Sequence, residues 1–302
     1  MQNDKLKNYL HLHVIVFIWG FTAVLGKLIT INALSLVWYR MGMAAVLIFL
    51  FIVFKGIRMQ WNGKLWGTMG VAGLIIALHW LTFFEAIKVS NVSIALATMA
   101  TGALFAAVLE PIWYKRKLIG YEIVFGLIVM GALFLIFKVE TQYAYGILLA
   151  LVSAFLAAVF SLINGKLIHQ ERPSIIALFE MSSGMCVLSI VLAFQNRFSA
   201  DFFTLTMSDW TFIFLLASIC TAYAFIASVK IMRFISPYTV MLTTNLEPVY
   251  GIVLAFLILG DSEKMNPLFY IGALVILTTV VASGIIKNRS RLKKPLVTKG
   301  SA

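Results

Sequence analysis

The chain has 302 residues, of which 62% are hydrophobic and only 12% charged, with a mean hydropathy of +0.98. Globular chains are closer to about half apolar and a quarter charged, so a soluble fold of this length is excluded and lipid must cover the surplus. The net charge of +12 comes from basic residues in short runs between apolar stretches, which argues against a nucleic-acid-binding face and for charge that sets membrane topology.

Met1 to His13 is short and carries Lys5 and Lys7. The apolar run behind it continues without a small-residue cleavage site, so it is expected to remain as a first span. About 20 apolar residues cross the roughly 30 Å hydrocarbon layer. Ten stretches satisfy this, near 11–31, 33–54, 64–87, 91–113, 119–138, 143–165, 174–194, 209–232, 237–259 and 267–286. Links as short as Thr30 to Ala33 and Val89 to Asn91 force antiparallel hairpins. Pro237 opens the ninth span, where its missing amide proton costs nothing. Cys186 and Cys220 sit singly in apolar segments, with neither metal spacing nor a disulfide framework.

Charge gives the orientation. Alternate connections, counted from the N-terminus, collect 18 of the 24 basic residues, among them Lys55, Arg58, Lys115, Arg116, Lys117, Lys166, Lys230 and Arg233. The opposite side holds Lys88, Lys138, Arg197 and Lys264. Basic residues mark the cytoplasm, so both termini are expected inside. A missed span would scramble the alternation, and ten spans preserve it.

The halves resemble each other. Gly26-Lys27-Leu28 recurs as Gly165-Lys166-Leu167, and Ala100-Thr101-Gly102-Ala103 falls where Asn245-Leu246-Glu247-Pro248 stands later. Five spans per copy is odd, so the second copy enters from the opposite face. The expected fold is an all-α membrane protein of ten transmembrane helices in two inverted repeats, at 1–142 and 143–286, followed by a basic cytoplasmic tail at 287–302. Inverted repeats of this kind underlie alternating-access carriers whose site lies between the copies near the midplane.

These segments carry a family resemblance. Trp19-Gly20-Phe21 with Lys27 and Arg40, the stretch Ala86-Ile87-Lys88-Val89-Ser90-Asn91, and Asn245-Leu246-Glu247-Pro248-Val249 with Leu257-Ile258-Leu259-Gly260-Asp261 resemble the EamA family of the drug/metabolite transporter superfamily. The resemblance runs from about Leu10 to Ile286. It implies a ten-helix carrier, commonly an exporter of amino acids or related metabolites. Gly102-Ala103 and Lys115-Arg116-Lys117 depart from the family pattern.

Ionisable groups inside a span are costly and belong on interior or wet faces. Glu247 lies near the middle of the ninth span, ahead of Pro248, with Thr243 and Gly251 stacked on its face and Asn245 close by in sequence. It reads either as a cavity carboxylate for a cation or proton, or as a buried structural group. Thr98, Thr101 and Gly102 form the matching face of span four, for substrate entry or for close helix packing. Arg40 and Glu180 are repeat-related and read as charges of two vestibules, with snorkelling the alternative for Arg40. His79, with Trp80, Phe83 and Phe84 nearby, suits proton coupling or an interhelical hydrogen bond. Lys27 and Lys166 read as snorkelling ends, and Glu85 as a partner for Lys88.

The function expected from these features is secondary transport of a small metabolite across the cell membrane by alternating access. The expected partners are a small-molecule substrate, a proton or counter-substrate, and the lipid bilayer. No nucleic acid and no cofactor are expected, and a homodimer stays open. No phosphate-binding loop is present. His11, His13, His79 and His169 lack metal spacing, and no enzyme constellation is visible; the alternatives are a non-transporting scaffold or an intramembrane enzyme.

Overall fold

The computed structural model describes residues 2–59, 62–115, 120–235, 240, 243–244 and 246–292. Its helices are α1 (Gln2–Leu28), α2 (Ala33–Phe54), α3 (Gly63–Val89), α4 (Val92–Met99), α5 (Gly102–Trp113) and α6 (Gly120–Val139) in the first half. The second half holds α7 (Ala144–Leu167), α8 (Pro173–Phe194), α9 (Met207–Ala217), α10 (Ala224–Ile231), α11 (Glu247–Leu259) and α12 (Pro267–Leu292). Seven segments among the described residues are long and apolar enough to cross a membrane, and shorter apolar helices cover Val124–Val139 and Pro267–Thr279. The protein is a multi-pass helical membrane protein.

The helices begin where side chains can absorb orphan amide protons. Asn32, Asn62 and Asn91 accept from the backbone N–H groups of Ser35, Leu65 and Ile94, and Thr206 accepts from that of Asp209. Pro173 sits in the first turn of α8, where its lack of an amide proton is harmless.

Two segments are interrupted at repeat-equivalent places. Between α4 and α5 the chain turns at Ala100–Thr101, and the Thr101 hydroxyl donates to the Thr98 carbonyl at 2.8 Å. Likewise, α11 starts at Glu247 after Leu246 in a turn, with Pro248 in its first turn. Each break leaves a helix N-terminus, whose first amide protons the helix itself does not use. A third irregularity joins α9 to α10, where Ser218–Tyr223 is π-helical and the Thr221 hydroxyl donates to the Leu216 carbonyl five residues back, at 2.7 Å. Such a turn widens the helix and re-aims its side chains.

The halves pack with a two-fold correspondence. α1 lies on α11 as α7 lies on α4 and α5, and α3 lies on α7 and α8 as the α9–α10 segment lies on α1 and α2. α2 pairs with its counterpart α8, and α6 with α12. Exchanging the halves maps this arrangement onto itself. Glycines allow the closest approaches. A Cβ on Gly20 would come within 2.9 Å of Tyr250 Cβ and 3.1 Å of the Gly251 amide, and one on Gly73 would run into the Glu180 carbonyl and Ser183 hydroxyl of α8.

Five connections meet at one end of the bundle. Asp209 accepts the Thr30 amide and hydroxyl protons, both at 2.7 Å, and Lys88 donates to the Ile29 carbonyl at 2.9 Å. Glu263 accepts from the amides of Val92 and Ser93 and from the Ser93 hydroxyl, while Glu140 accepts the Asn266 amide proton at 3.0 Å. Asp209 and Glu263 are each 1% exposed. Lys27 joins this clasp by donating to the carbonyls of Ile87 and Ser90, which replaces the expected snorkelling with an interhelical bond. Lys166, its repeat mate, lies over the rings of Trp113 and Tyr114 at the other end.

Gly73→Ala should lower stability by about 1–3 kcal/mol, because the new methyl meets backbone across the α3–α8 crossing. Gly67→Ala, on the same helix with open space around it, should be neutral or stabilising by up to ~1 kcal/mol. Thermal unfolding in detergent separates the two, and equal melting temperatures would refute the crossing argument.

Candidate functional site

A cavity of about 100 Å³ lies where the two halves meet, enough for several waters or a small metabolite. The first half supplies Trp19 and Thr22 from α1, Arg40 from α2, and His79, Trp80 and Phe83 from α3. From the second half come Phe160 and Asn164 of α7, Phe225 and Ser228 of α10, and Thr244 and Glu247 before and at the start of α11. The walls are mainly apolar and aromatic, with few polar groups, as in ligand sites generally.

Arg40 is the central cation. It is 2% exposed, its Nε donates to Thr221 Oγ1 at 2.7 Å, and its guanidinium carbon stands 3.7 Å from the centre of the Trp80 ring. The π-helical turn is what brings Thr221 to it. Stacking on Trp80 covers one guanidinium face with a ring quadrupole, a weak substitute for water. The Nη1 donor stays buried without a hydrogen-bond partner among the described residues. Glu247 also borders the cavity, half-buried, and the two charges act on each other. The acid stands at the first residue of α11, where the helix dipole favours negative charge.

His79 is engaged. Its Nδ1 lies 2.9 Å from the Ser153 carbonyl and 2.7 Å from the Ser153 hydroxyl, and that hydroxyl also lies 2.9 Å from the His79 carbonyl. The ring therefore ties α3 to α7 while presenting an edge of the cavity, in contact with Phe160 at 5.4 Å between centroids.

The structure brings together only part of the sequence-derived set. Arg40, His79, Trp80 and Glu247 line the cavity. Thr98, Thr101 and Gly102 are buried at the α4–α5 break, and it is their neighbours Met99 and Ala100 that face the cavity. Thr243 is half-buried and its neighbour Thr244 takes the wall position, whereas Asn245 lies outside the described residues. Glu180 is 0% exposed and stands behind the wall. Sequence reasoning passed over Trp19, Thr22, Phe160, Ser161, Asn164 and Phe225. A signal for Thr22 and Ser161 existed, since they occupy the same place before Gly-Lys-Leu in the two copies. Asn164, a polar residue deep in an apolar span, was another. Among the described residues no group of three or more His, Cys, Asp or Glu could hold a metal.

A helical bundle of two matched halves enclosing a buried, charged cavity belongs to the class of membrane solute transporters. The family described as the EamA-like transporter family matches residues 7–138 and again 144–284, and the chain belongs to that family. A solved structure titled "Crystal structure of protein" has the same fold, with a TM-score of 0.67 at 14% identity over 95% of this chain and 99% of that one. No curated protein matches.

Thr221→Val should leave the Arg40 Nε without its hydroxyl acceptor at nearly unchanged volume. The expected cost is about 1–3 kcal/mol of stability, the range for orphaning a buried donor. Unfolding in detergent checks it, with Thr211→Val on the outer face of α9 as the neutral control.

Proposed function

We propose that this protein is a secondary carrier that exports a zwitterionic metabolite, an amino acid or close relative, across the cell membrane by alternating access. The reading includes ten spans in two inverted halves, 1–142 and 143–286, with both termini and the basic tail in the cytoplasm. One observation carries it: a guanidinium with a spare donor and a carboxylate border the same cavity, on opposite halves of the molecule. A zwitterion offers each of them a direct partner. Its carboxylate meets Arg40 and its ammonium meets Glu247, so the buried charges become paired and the occupied site carries no net excess. A neutral solute would offer neither charge a counter-charge, and a simple ion would offer one to only one of them.

The aromatic wall suits an apolar side chain on that substrate. Phe83, Phe160 and Phe225 offer rings and no further hydrogen-bonding groups. The topology is supported by the hydrogen-bonded clasp, which joins the five connections that follow α1, α3, α6, α8 and α11. Those are the connections poor in basic residues. Asn164, Met232 and Val240 lie toward the other, basic end, which suits a state that loads from the cytoplasm.

Purified protein in liposomes, offered a mixture of radiolabelled amino acids, should exchange at least one of them. Each charge-assisted contact is worth about 1.5–3 kcal/mol, so Glu247→Gln and Arg40→Gln should each reduce exchange roughly tenfold to a hundredfold while the protein still folds. Wild-type exchange by Glu247→Gln would remove this site. Labelling of Lys115 and the C-terminal tail from opposite faces of the membrane would remove the topology.

A further inference from the structure

Behind the cavity wall, α8 holds a carboxyl group that substrate recognition leaves unused. Glu180 is 0% exposed, and neither of its oxygens has a hydrogen-bond partner among the described residues. Asn164 of α7 faces it closely enough to act on it, without reaching good hydrogen-bond geometry. Asn164 is itself 0% exposed, with both amide atoms unpartnered among the described residues, and it lines the cavity. The two side chains thus form a polar path from the cavity to a dry interior site. Two unmet polar side chains side by side in a tightly packed bundle need a function or a ligand to explain them.

The charged groups of the helices packed on α8 are occupied elsewhere. On α2, Arg40 is directed at Thr221 and Trp80, and Lys55 is exposed at the helix end. On α3, His79 is bound to Ser153, Lys64 is exposed, Lys88 reaches Ile29, and Glu85 lies in the last turns. Lys230 of α10 is exposed, and Lys166 of α7 lies over Trp113. Among the described residues no cation stands ready to balance an ionised Glu180. A metal cation would want about six oxygen ligands, and Glu180 with Asn164 offers three. A proton needs only one.

Position then suggests how the proton moves. Arg40 and Glu180 are each the eighth residue of a 22-residue helix, α2 and α8, in repeat-equivalent places. Arg40 faces the cavity and Glu180 does not. Inverted repeats alternate access by exchanging the conformations of their halves. That exchange would give Glu180 the cavity-facing position that Arg40 has here. We propose that Glu180, reached through Asn164, is the proton-binding group of this carrier: it takes up a proton where it opens to the cavity in the opposite-facing state, carries it sealed into this state, and gives it up through Asn164 to the cytoplasmic side as substrate loads. The inference rests on the carrier reading, and it makes transport an exchange of substrate for a proton.

Two measurements on the full-length protein in liposomes test it. Infrared spectra at neutral pH should contain a carboxylic-acid C=O band that Glu180→Gln removes, and an unchanged band in that variant overturns the proposal. With the radiolabelled amino-acid mixture as probe, coupling to one proton should sustain about a tenfold substrate gradient per pH unit across the membrane. Glu180→Gln should drop that ratio to about one while still exchanging substrate at equal pH, and Glu180→Asp should restore pH-driven accumulation. pH-driven accumulation by Glu180→Gln at the wild-type ratio overturns the proposal. A wild-type protein that exchanges none of the probes fails the carrier reading, and the infrared band still decides whether Glu180 holds a proton.

Discussion

A guanidinium buried at the centre of a helical bundle has to be satisfied largely by what the fold can bring to it, and most of the distinctive architecture does that for Arg40. The side chain leaves α2 and enters the centre of the molecule, where it takes a hydroxyl from the α9–α10 segment and a ring from α3. Each of those partners depends on a specific local geometry. The hydroxyl is in place because the helix widens at Ser218–Tyr223, and the ring is in place because α3 is anchored to α7 through His79 and Ser153. Glu247 completes the electrostatic balance from the start of α11, inside the bundle because that helix begins there. Removing any one of these irregularities would leave a buried cation in apolar surroundings, which a membrane protein tolerates poorly.

The two ends of the bundle are held by different means. At one, carboxylates and lysines of the connections bond backbone groups of neighbouring connections, so that all five are linked. At the other, contacts between the halves use an ammonium over aromatic rings and a Tyr114 hydroxyl donating to the Leu162 carbonyl at 3.4 Å. The first set is directional and fixes position, while the second leaves more freedom. On the carrier reading proposed above, such inequality suits a state in which one end is closed.

Much of this was legible in the sequence. Hydropathy marked the apolar helices, seven of which are long enough to cross a membrane among the described residues, and Gly26-Lys27-Leu28 with its second copy revealed the repeat that the family match then covered in two pieces. Glu247 was readable from its midspan depth as a cavity carboxylate or a buried structural group, and Arg40 as a vestibule charge or a snorkelling one; both line the cavity. Other features were not legible. No residue in Ser218–Tyr223 announces the π-helical turn. Thr243 was chosen over Thr244 because an ideal helical period was assumed through a stretch where the chain turns at Leu246. Lys27 looked like a snorkelling residue because its length allows that, yet carbonyls freed at the end of α3 lie closer than water.

The clasp has an environmental corollary. Asp209 and Glu263 are gripped by neutral amides and hydroxyls, out of reach of dissolved ions, so no counter-ion cloud can compete for them as it would for a lysine–glutamate pair at the surface. The fluid bathing that end can therefore swing from dilute to briny without loosening the seal.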